Sequence, residues 1–328
     1  MPLSKQGARR RRLTLGLAGA GLLPGAARAT AWPAAPVRLV VPFPPGGTVD
    51  TLTRLLAPAL AAQLGQQVLV DNRGGANGTL GSKHVAQARA DGLSLLLTAS
   101  NQIINPLILR TVPYDALADF TAISYIGYVP QLLVVHNAFP AANLTEFLAQ
   151  VRAQPGRYSW ATSGMGTAGH LAEELINQRG QLKMPVIPYR GGGPALTDTI
   201  AGHTAAMVEP IPSALPHVLA GRLRVLAVTS PKRAAALPQV PTIAESGLAD
   251  FDLPSWYGLW GPAGLPAEIV QRVHAELRAS LQAPAVKARL EAMSFEALGG
   301  TPEALLALMK RDTERFRAVV KDAGIVAD

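Results

Sequence analysis

The chain has 328 residues, 48 % hydrophobic and 16 % charged, with 31 Gly and 27 Pro. This globular composition excludes a disordered or fibrous chain and, at this length, points to two lobes rather than one core. The formal charge of +8 suggests nucleic acid only until the basic residues are placed. Lys5, Arg9, Arg10, Arg11, Arg12 and Arg28 fall within residues 1–29, which hold no acid; the remainder sets 24 basic against 22 acidic residues, a net of +2 with no Lys/Arg-rich run. The electrostatic footprint of a nucleic-acid binder is missing.

Residues 1–29 read as a secretory signal. The basic start is followed by an apolar stretch from Leu13 to Leu23, then Pro24, Gly25 and the small-x-small triplet Ala27-Arg28-Ala29, which predicts a mature start near Thr30. Those 11 residues fall short of the about 20 a membrane-spanning helix needs. The Arg pairs before Leu13 also fit a twin-arginine route, although no Ser or Thr precedes a pair. Cysteine is absent, so disulfides, thiol catalysis and thiolate metal sites are excluded and the core alone must hold the fold.

From Val37 onward strand and helix patterns alternate. Val37 to Phe43 is a short apolar run. Leu52, Leu55, Leu56, Ala59, Leu60 and Leu64 then make one helical stripe, with a kink expected at Pro58. Further strands are expected at Val68–Val70, Leu93–Thr98, Leu132–Val135, Tyr158–Thr162, Val186–Tyr189 and Leu223–Val228, most of them followed by helices. Apolar strands separated by helices predict an α/β fold with mostly parallel sheets covered on both faces. The middle of the chain holds a complete set of such units and its flanks look like halves of another lobe. The expected division is therefore 30–125 with 229–328 as one lobe and 126–228 as the other. Crossings near Gly127–Pro130 and Val228–Pro231 would form a hinge beneath a cleft. Ile269, Val270, Val273, Leu277 and Leu281 form a further helical stripe, and Thr301-Pro302 is an N-cap with Pro at N1, opening a last helix that runs to Gly324.

Three glycine-rich turns follow predicted strands. In Pro42-Phe43-Pro44-Pro45-Gly46-Gly47-Thr48-Val49-Asp50 the glycines permit close backbone approach, and a helix N-terminus attracts an anion; Asp50 suits either a cap or a ligand amine. Asp71-Asn72-Arg73-Gly74-Gly75-Ala76-Asn77-Gly78-Thr79 reads as ordinary Asn/Gly turn chemistry. In the third turn Gly164, Gly166 and Gly169 satisfy G-x-G-x-x-G between strand and helix, as a dinucleotide site requires. However, the next strand ends at Tyr189-Arg190-Gly191 without the acid that would hold a ribose. Arg190 suits a 2′-phosphate, which leaves an NADP-dependent oxidoreductase as the alternative, although export counts against it. The same turn also suits a carboxylate, because Ser163 and Thr167 donate hydroxyls beside backbone N–H groups. Ser163 lacks the Gly two residues before it that a nucleophile elbow needs, and His170 is only seven residues away. The six histidines show no i, i+4 pair, so no metal site is expected.

Read together, these turns, with Pro113-Tyr114-Asp115, Asp119-Phe120, Pro188-Tyr189-Arg190-Gly191, Leu237-Pro238, Val240-Pro241-Thr242 and Gly258-Leu259-Trp260-Gly261-Pro262-Ala263-Gly264, resemble the receptors of tripartite tricarboxylate transporters, the Bug family of periplasmic solute-binding proteins. The resemblance covers nearly all of the chain after the signal. It implies a two-lobed Venus-flytrap fold, without catalytic step or cofactor, that closes on a small anion, a carboxylate or an amino-acid derivative; a monomer is expected because the sequence carries no coiled-coil or interface stripe. The ligand residues implied are Phe43, Gly46, Gly47, Thr48, Asp50, Ser100 and Asn101 from one lobe. From the other they are Ser163, Gly164, Gly166, Thr167, His170, Tyr189 and Arg190. Transporter subunits, or a signalling partner in a ligand sensor without transport, are the implied partners. Two positions depart from the family pattern: Glu209-Pro210 stands where an acid-Asn pair is common, and Arg190 where Lys is usual.

Overall fold

The computed structural model describes Met1 and residues 32–325; the expected export signal lies outside the described residues but for Met1. Two sheets organise them. The first half of the chain gives β1 (Val37–Val41), α1 (Thr48–Leu64), β2 (Val68–Asn72), α2 (Thr79–Ala86), β3 (Ser94–Ala99), α3 (Asn101–Ile108) and β4 (Phe120–Val129). The middle gives β5 (Gln131–His136), α4 (Leu144–Ala153), β6 (Trp160–Thr162), α5 (Ala168–Arg179), β7 (Val186–Pro188), α6 (Gly192–Ala201), β8 (Ala206–Pro210), α7 (Ile211–Leu219) and β9 (Leu223–Val228). The last part gives β10 (Ser255–Pro262), α8 (Ala267–Gln282), α9 (Pro284–Ala292), β11 (Glu296–Gly300) and α10 (Pro302–Asp322).

The first lobe is built on a six-stranded sheet of order β11-β4-β10-β3-β1-β2, the second on a five-stranded sheet of order β7-β6-β8-β5-β9. The two-lobed α/β architecture is as expected, but the sheets are mixed rather than mostly parallel. Pairs β1/β2, β1/β3, β6/β7 and β6/β8 are parallel. Each strand that brings the chain across between lobes runs the other way: β10 is antiparallel to β3 and β4, and β5 to β8 and β9. The first crossing is Pro130 alone, since β4 stays in the first sheet to Val129, past the expected boundary at 125/126, with Tyr128 facing Glu296 and Gly127 facing Ala297. The second follows Val228, and the two are tied together: Thr229 N–H donates to the Gln131 carbonyl at 3.0 Å, and Gln131 N–H to Thr229 Oγ1 at 3.0 Å.

Alternation along the strands sends successive side chains to opposite faces, and each face carries one apolar cluster that continues from lobe to lobe. Leu39, Leu97, Leu132, Val134 and Met207 belong to one, Val40, Leu96, Leu133, Val135 and Val208 to the other. Helix α8 buries the expected stripe, and Thr301 caps α10 by accepting from Ala304 N–H at 3.2 Å. Helix α1 runs through Pro58 as one helix. That proline is exposed, so water can serve the carbonyl its missing N–H leaves without a helix partner.

Candidate ligand-binding cleft

A cavity of about 500 Å³, counted to its open mouth, lies between the lobes at the ends of the strands. The first lobe contributes Phe43, Gly47, Thr48 and Val49 from the turn into α1, Ala99, Ser100 and Asn101 from the turn into α3, and Ser255 and Tyr257 of β10. From the second come Gln131 of β5, Ser163, Thr167, Ala168 and Gly169 around the start of α5, Gly192 of α6, and Glu209 and Pro210 at the end of β8. The N-terminal ends of α1, α3, α5 and α6 therefore all open onto one space, and each brings partial positive charge. No Lys, Arg or His lines it.

Four buried polar atoms of this lining have no partner: Ser100 Oγ, Asn101 Nδ2, Gln131 Oε1 and Glu209 Oε2. Native cores rarely leave such groups unpaired. The orientation of both amides is set by their other ends. Asn101 Oδ1 accepts from Thr98 Oγ1 at 3.0 Å, leaving its NH₂ for the cavity, while Gln131 Nε2 donates to the Leu253 carbonyl at 2.8 Å, leaving its oxygen. Glu209 is 2 % exposed, and burial pushes its carboxyl up to about 7 against the hydrogen bond from Ser213 Oγ at 2.6 Å. Gly192 is required there, because a Cβ would lie 2.3 Å from Glu209 Oε1.

Of the residues implied from the sequence, the cavity brings together Phe43, Gly47, Thr48, Ser100, Asn101, Ser163 and Thr167. The other seven stand elsewhere. Asp50 is a turn-lock: its carboxylate accepts from Gly46 N–H at 3.1 Å, Arg54 Nε at 3.0 Å and Asn72 Nδ2 at 2.9 Å. Burial alone would raise its pKa, yet these donors hold the carboxyl below the usual range. Gly46, at φ +94°, serves the same turn. His170 lies wholly buried behind the α5 turn; its Nδ1 accepts from Gly166 N–H at 3.2 Å, and burial lowers its pKa to about 4, so the ring is neutral. Gly164 and Gly166 press on the first lobe rather than on an open groove: a Cβ at Gly166 would sit 2.6 Å from Ile108 Cδ1, and one at Gly164 3.2 Å from Asn77 Oδ1. Tyr189 and Arg190 line a second cavity of about 590 Å³ whose wall shares Phe43 and Ser163 with the first.

Sequence reasoning missed Gln131, Ser255, Tyr257 and Gly192 and left Glu209 in doubt. The available signals were a lone polar residue opening the apolar run Leu132–Val135 and a lone acid closing Ala206–Val208. Among the described residues no group of three His, Cys, Asp or Glu is placed to hold a metal ion.

The lobes also meet directly through a buried pair of hydroxyls, Thr48 Oγ1 lying 2.8 Å from Ser213 Oγ. With this geometry in place, comparison with known proteins gives one answer. A UPF0065 protein from the tcbD-tcbE intergenic region of Pseudomonas sp. strain P51 is 38 % identical over 296 residues, 90 % of this chain and 88 % of that one. Among solved structures, R. palustris Rpa4515 with adipate superposes with a TM-score of 0.89 at 34 % identity, covering 90 % of this chain and all of that one. The periplasmic binding protein BugD gives 0.88 at 32 %, covering 90 % and 100 %, and MatC from Rhodopseudomonas palustris with malate gives 0.85 at 29 %, covering 88 % and 100 %. The family model described as "Tripartite tricarboxylate transporter family receptor" matches residues 52–325, and the chain belongs to that receptor family.

Proposed function

We propose that the protein captures a small carboxylate-bearing solute in the interlobe cavity, in the periplasm, and presents it to a membrane transporter of the tripartite tricarboxylate type, with no chemical step. The observation that carries the reading is the pair of unpartnered buried donors, Ser100 Oγ and Asn101 Nδ2, at the start of α3. Buried donors without acceptors cost about 1–3 kcal/mol each until a ligand supplies them, and a carboxylate at a helix N-terminus does so. The adipate and malate bound by relatives supply the chemical class. The moving units in this reading are the portions built on the two sheets, turning about Pro130 and Val228–Thr229, and capture is a population shift toward the state in which the solute touches both lobes.

The test is a thermal-shift and calorimetric screen of protein freed of co-purified solute by unfolding and refolding, against mono-, di- and tricarboxylates, amino acids and NADP. A bound solute at 100 times its Kd adds about 2.7 kcal/mol, several degrees of Tm. Asn101→Ala weakens that binding roughly tenfold. A shift with NADP and with no acid would overturn the reading in favour of an oxidoreductase.

A further inference from the structure

Glu209 stands in the cavity wall with 2 % of its surface exposed, and its two oxygens differ. Oε1 accepts from Ser213 Oγ of α7 at 2.6 Å, while Oε2 has no partner. Nothing around the carboxyl offsets a negative charge. Gly192 of α6 lies against it with bare backbone, and Leu132 faces it across the β5/β8 pair. The titratable groups that feel its charge are Glu173 of α5, itself an acid, and Tyr257 of β10. No Lys, Arg or His among the described residues lines the cavity. A carboxylate entering this space therefore brings a second negative charge to a wall that supplies no cation, and two carboxylates that share a site drive a proton back onto one of them.

We propose that Glu209 is a proton-carrying recognition residue: it holds the solute as the neutral acid, its Oε2–H donating toward the solute's carboxylate, so that capture from neutral or alkaline solution takes up one proton. This deepens the carboxylate-receptor reading and rests on it. The proton belongs on Oε2 because Ser213 already donates to Oε1, and an O–H aimed into the cavity is the form of this side chain that an anion attracts rather than repels. Burial acts in the same direction, holding the carboxyl up to about 7 in the fold, and an anion beside it raises it further. Below that pH the acid already carries its proton and capture is insensitive to pH. Above it the Glu209 carboxylate, the solute anion and one proton from the medium must combine, and affinity falls as pH rises. The other buried groups nearby are silent or separable. His170 is neutral throughout this range, and burial keeps the Tyr257 hydroxyl protonated well above it. Glu173, with Oε1 on Val208 N–H, does not line the cavity.

The experiment titrates the refolded, solute-free protein with acids that are ionised throughout the range, namely propionate, L-malate, glutarate and adipate. The tightest binder is followed by calorimetry at pH 6.5, 7.5 and 8.5, each in two buffers of different ionisation enthalpy, which counts the protons exchanged. For an acid titrating near 7, the expected result is a Kd that weakens about 10- to 25-fold from pH 6.5 to 8.5, with roughly half a proton or more taken up per solute at pH 7.5. In Glu209→Gln, whatever its Kd, the dependence flattens to within about threefold and the uptake disappears. In Glu173→Gln both persist, which assigns the proton to Glu209 even where Glu209→Gln fails to fold. A Kd in the natural protein that is flat with pH and exchanges no proton overturns the inference and leaves the carboxylate receptor standing, as does a pH dependence that survives in Glu209→Gln or is lost in Glu173→Gln. If none of these acids binds at millimolar concentration, both readings fall.

Discussion

Glu209 is the residue whose chemistry sits least comfortably in the protein without solute. Its carboxyl lies at about 7 in the fold, against an ordinary value of 4.5, and its neighbour Glu173, buried on the same lobe with one oxygen on Val208 N–H, is raised in the same sense. A carboxyl whose pKa is raised by folding binds more protons in the native state than in the unfolded chain between those two values, so stability declines as pH rises through that window. His170 acts oppositely but lower: with its pKa lowered from 6.5 to about 4, it subtracts stability as pH falls below 6.5 and is silent above it. Between pH 6.5 and 8 the slope therefore belongs to the buried acids. Replacing Glu209 by Gln removes its share, at most about 3 kcal/mol from 1.36 kcal/mol per unit. Melting curves of the solute-free proteins are expected to show Glu209→Gln gaining several degrees on the natural chain between pH 4.5 and about pH 7, with little further change above that. Parallel curves would mean that water, rather than burial, sets the acid's state.

At the scale of the element, the turn between β1 and α1 shows how a motif legible in sequence is assigned its role only by the fold. Pro42–Asp50 is recognisable in the sequence as a candidate binding turn and Asp71–Thr79 as an ordinary Asn/Gly turn. Nothing in the order of residues says that Asn72 of the second holds Asp50 of the first, or that Asn72 also donates to the Phe43 carbonyl at 3.0 Å and accepts from Arg54. The acid that looked like a ligand for an amine is thus the keystone of the loop that carries Gly47 and Thr48 to the cavity. Asp50→Ala is expected to cost roughly 2–3 kcal/mol of stability, from several hydrogen bonds of about 1 kcal/mol each, one of them to a charged donor. Its signature is a lowered Tm in the absence of solute, and an unchanged Tm would return Asp50 to the ligand. The strands tell the same story. The βα alternation fixed the first half of each lobe, but β10 was hidden, because Gly258, Gly261 and Pro262 read as punctuation. In the fold Gly258 stays extended within a strand buried along its length and leaves space for the ring of Trp260, 2.5 Å from where a Cβ would sit. Gly127 similarly lets β11 lie on β4, its absent Cβ falling 2.0 Å from the Glu296 carbonyl. Sheet direction was equally out of reach: returning strands are apolar like parallel ones, and only the pairing distinguishes them.

For the whole molecule, the question is what holds two lobes together before a solute arrives. The crossings are bound to each other through Thr229 and Gln131, and Gln131 also reaches Leu253, so the base of the cleft is a hydrogen-bonded joint that itself lines the cavity. A buried chain of groups bridges the lobes: Thr48 Oγ1 meets Ser213 Oγ, which donates to Glu209. The bridge ends on Glu209, which lines the cavity, so the contact between the lobes is coupled to what the cavity holds. Ser213 does not line the cavity, so Ser213→Ala tests the bridge without removing a wall. Loss of one net hydrogen bond of about 1 kcal/mol shifts an open–closed equilibrium roughly fivefold. Small-angle scattering of the solute-free variant is expected to give a larger radius of gyration than the natural protein, with the two converging when saturated by the solute that the screen identifies. Equal radii without solute would show that the joint at Pro130 and Thr229, together with the apolar faces the lobes share, suffices to keep the cleft shut, and that the solute enters through fluctuations of the whole joint rather than through release of this bridge.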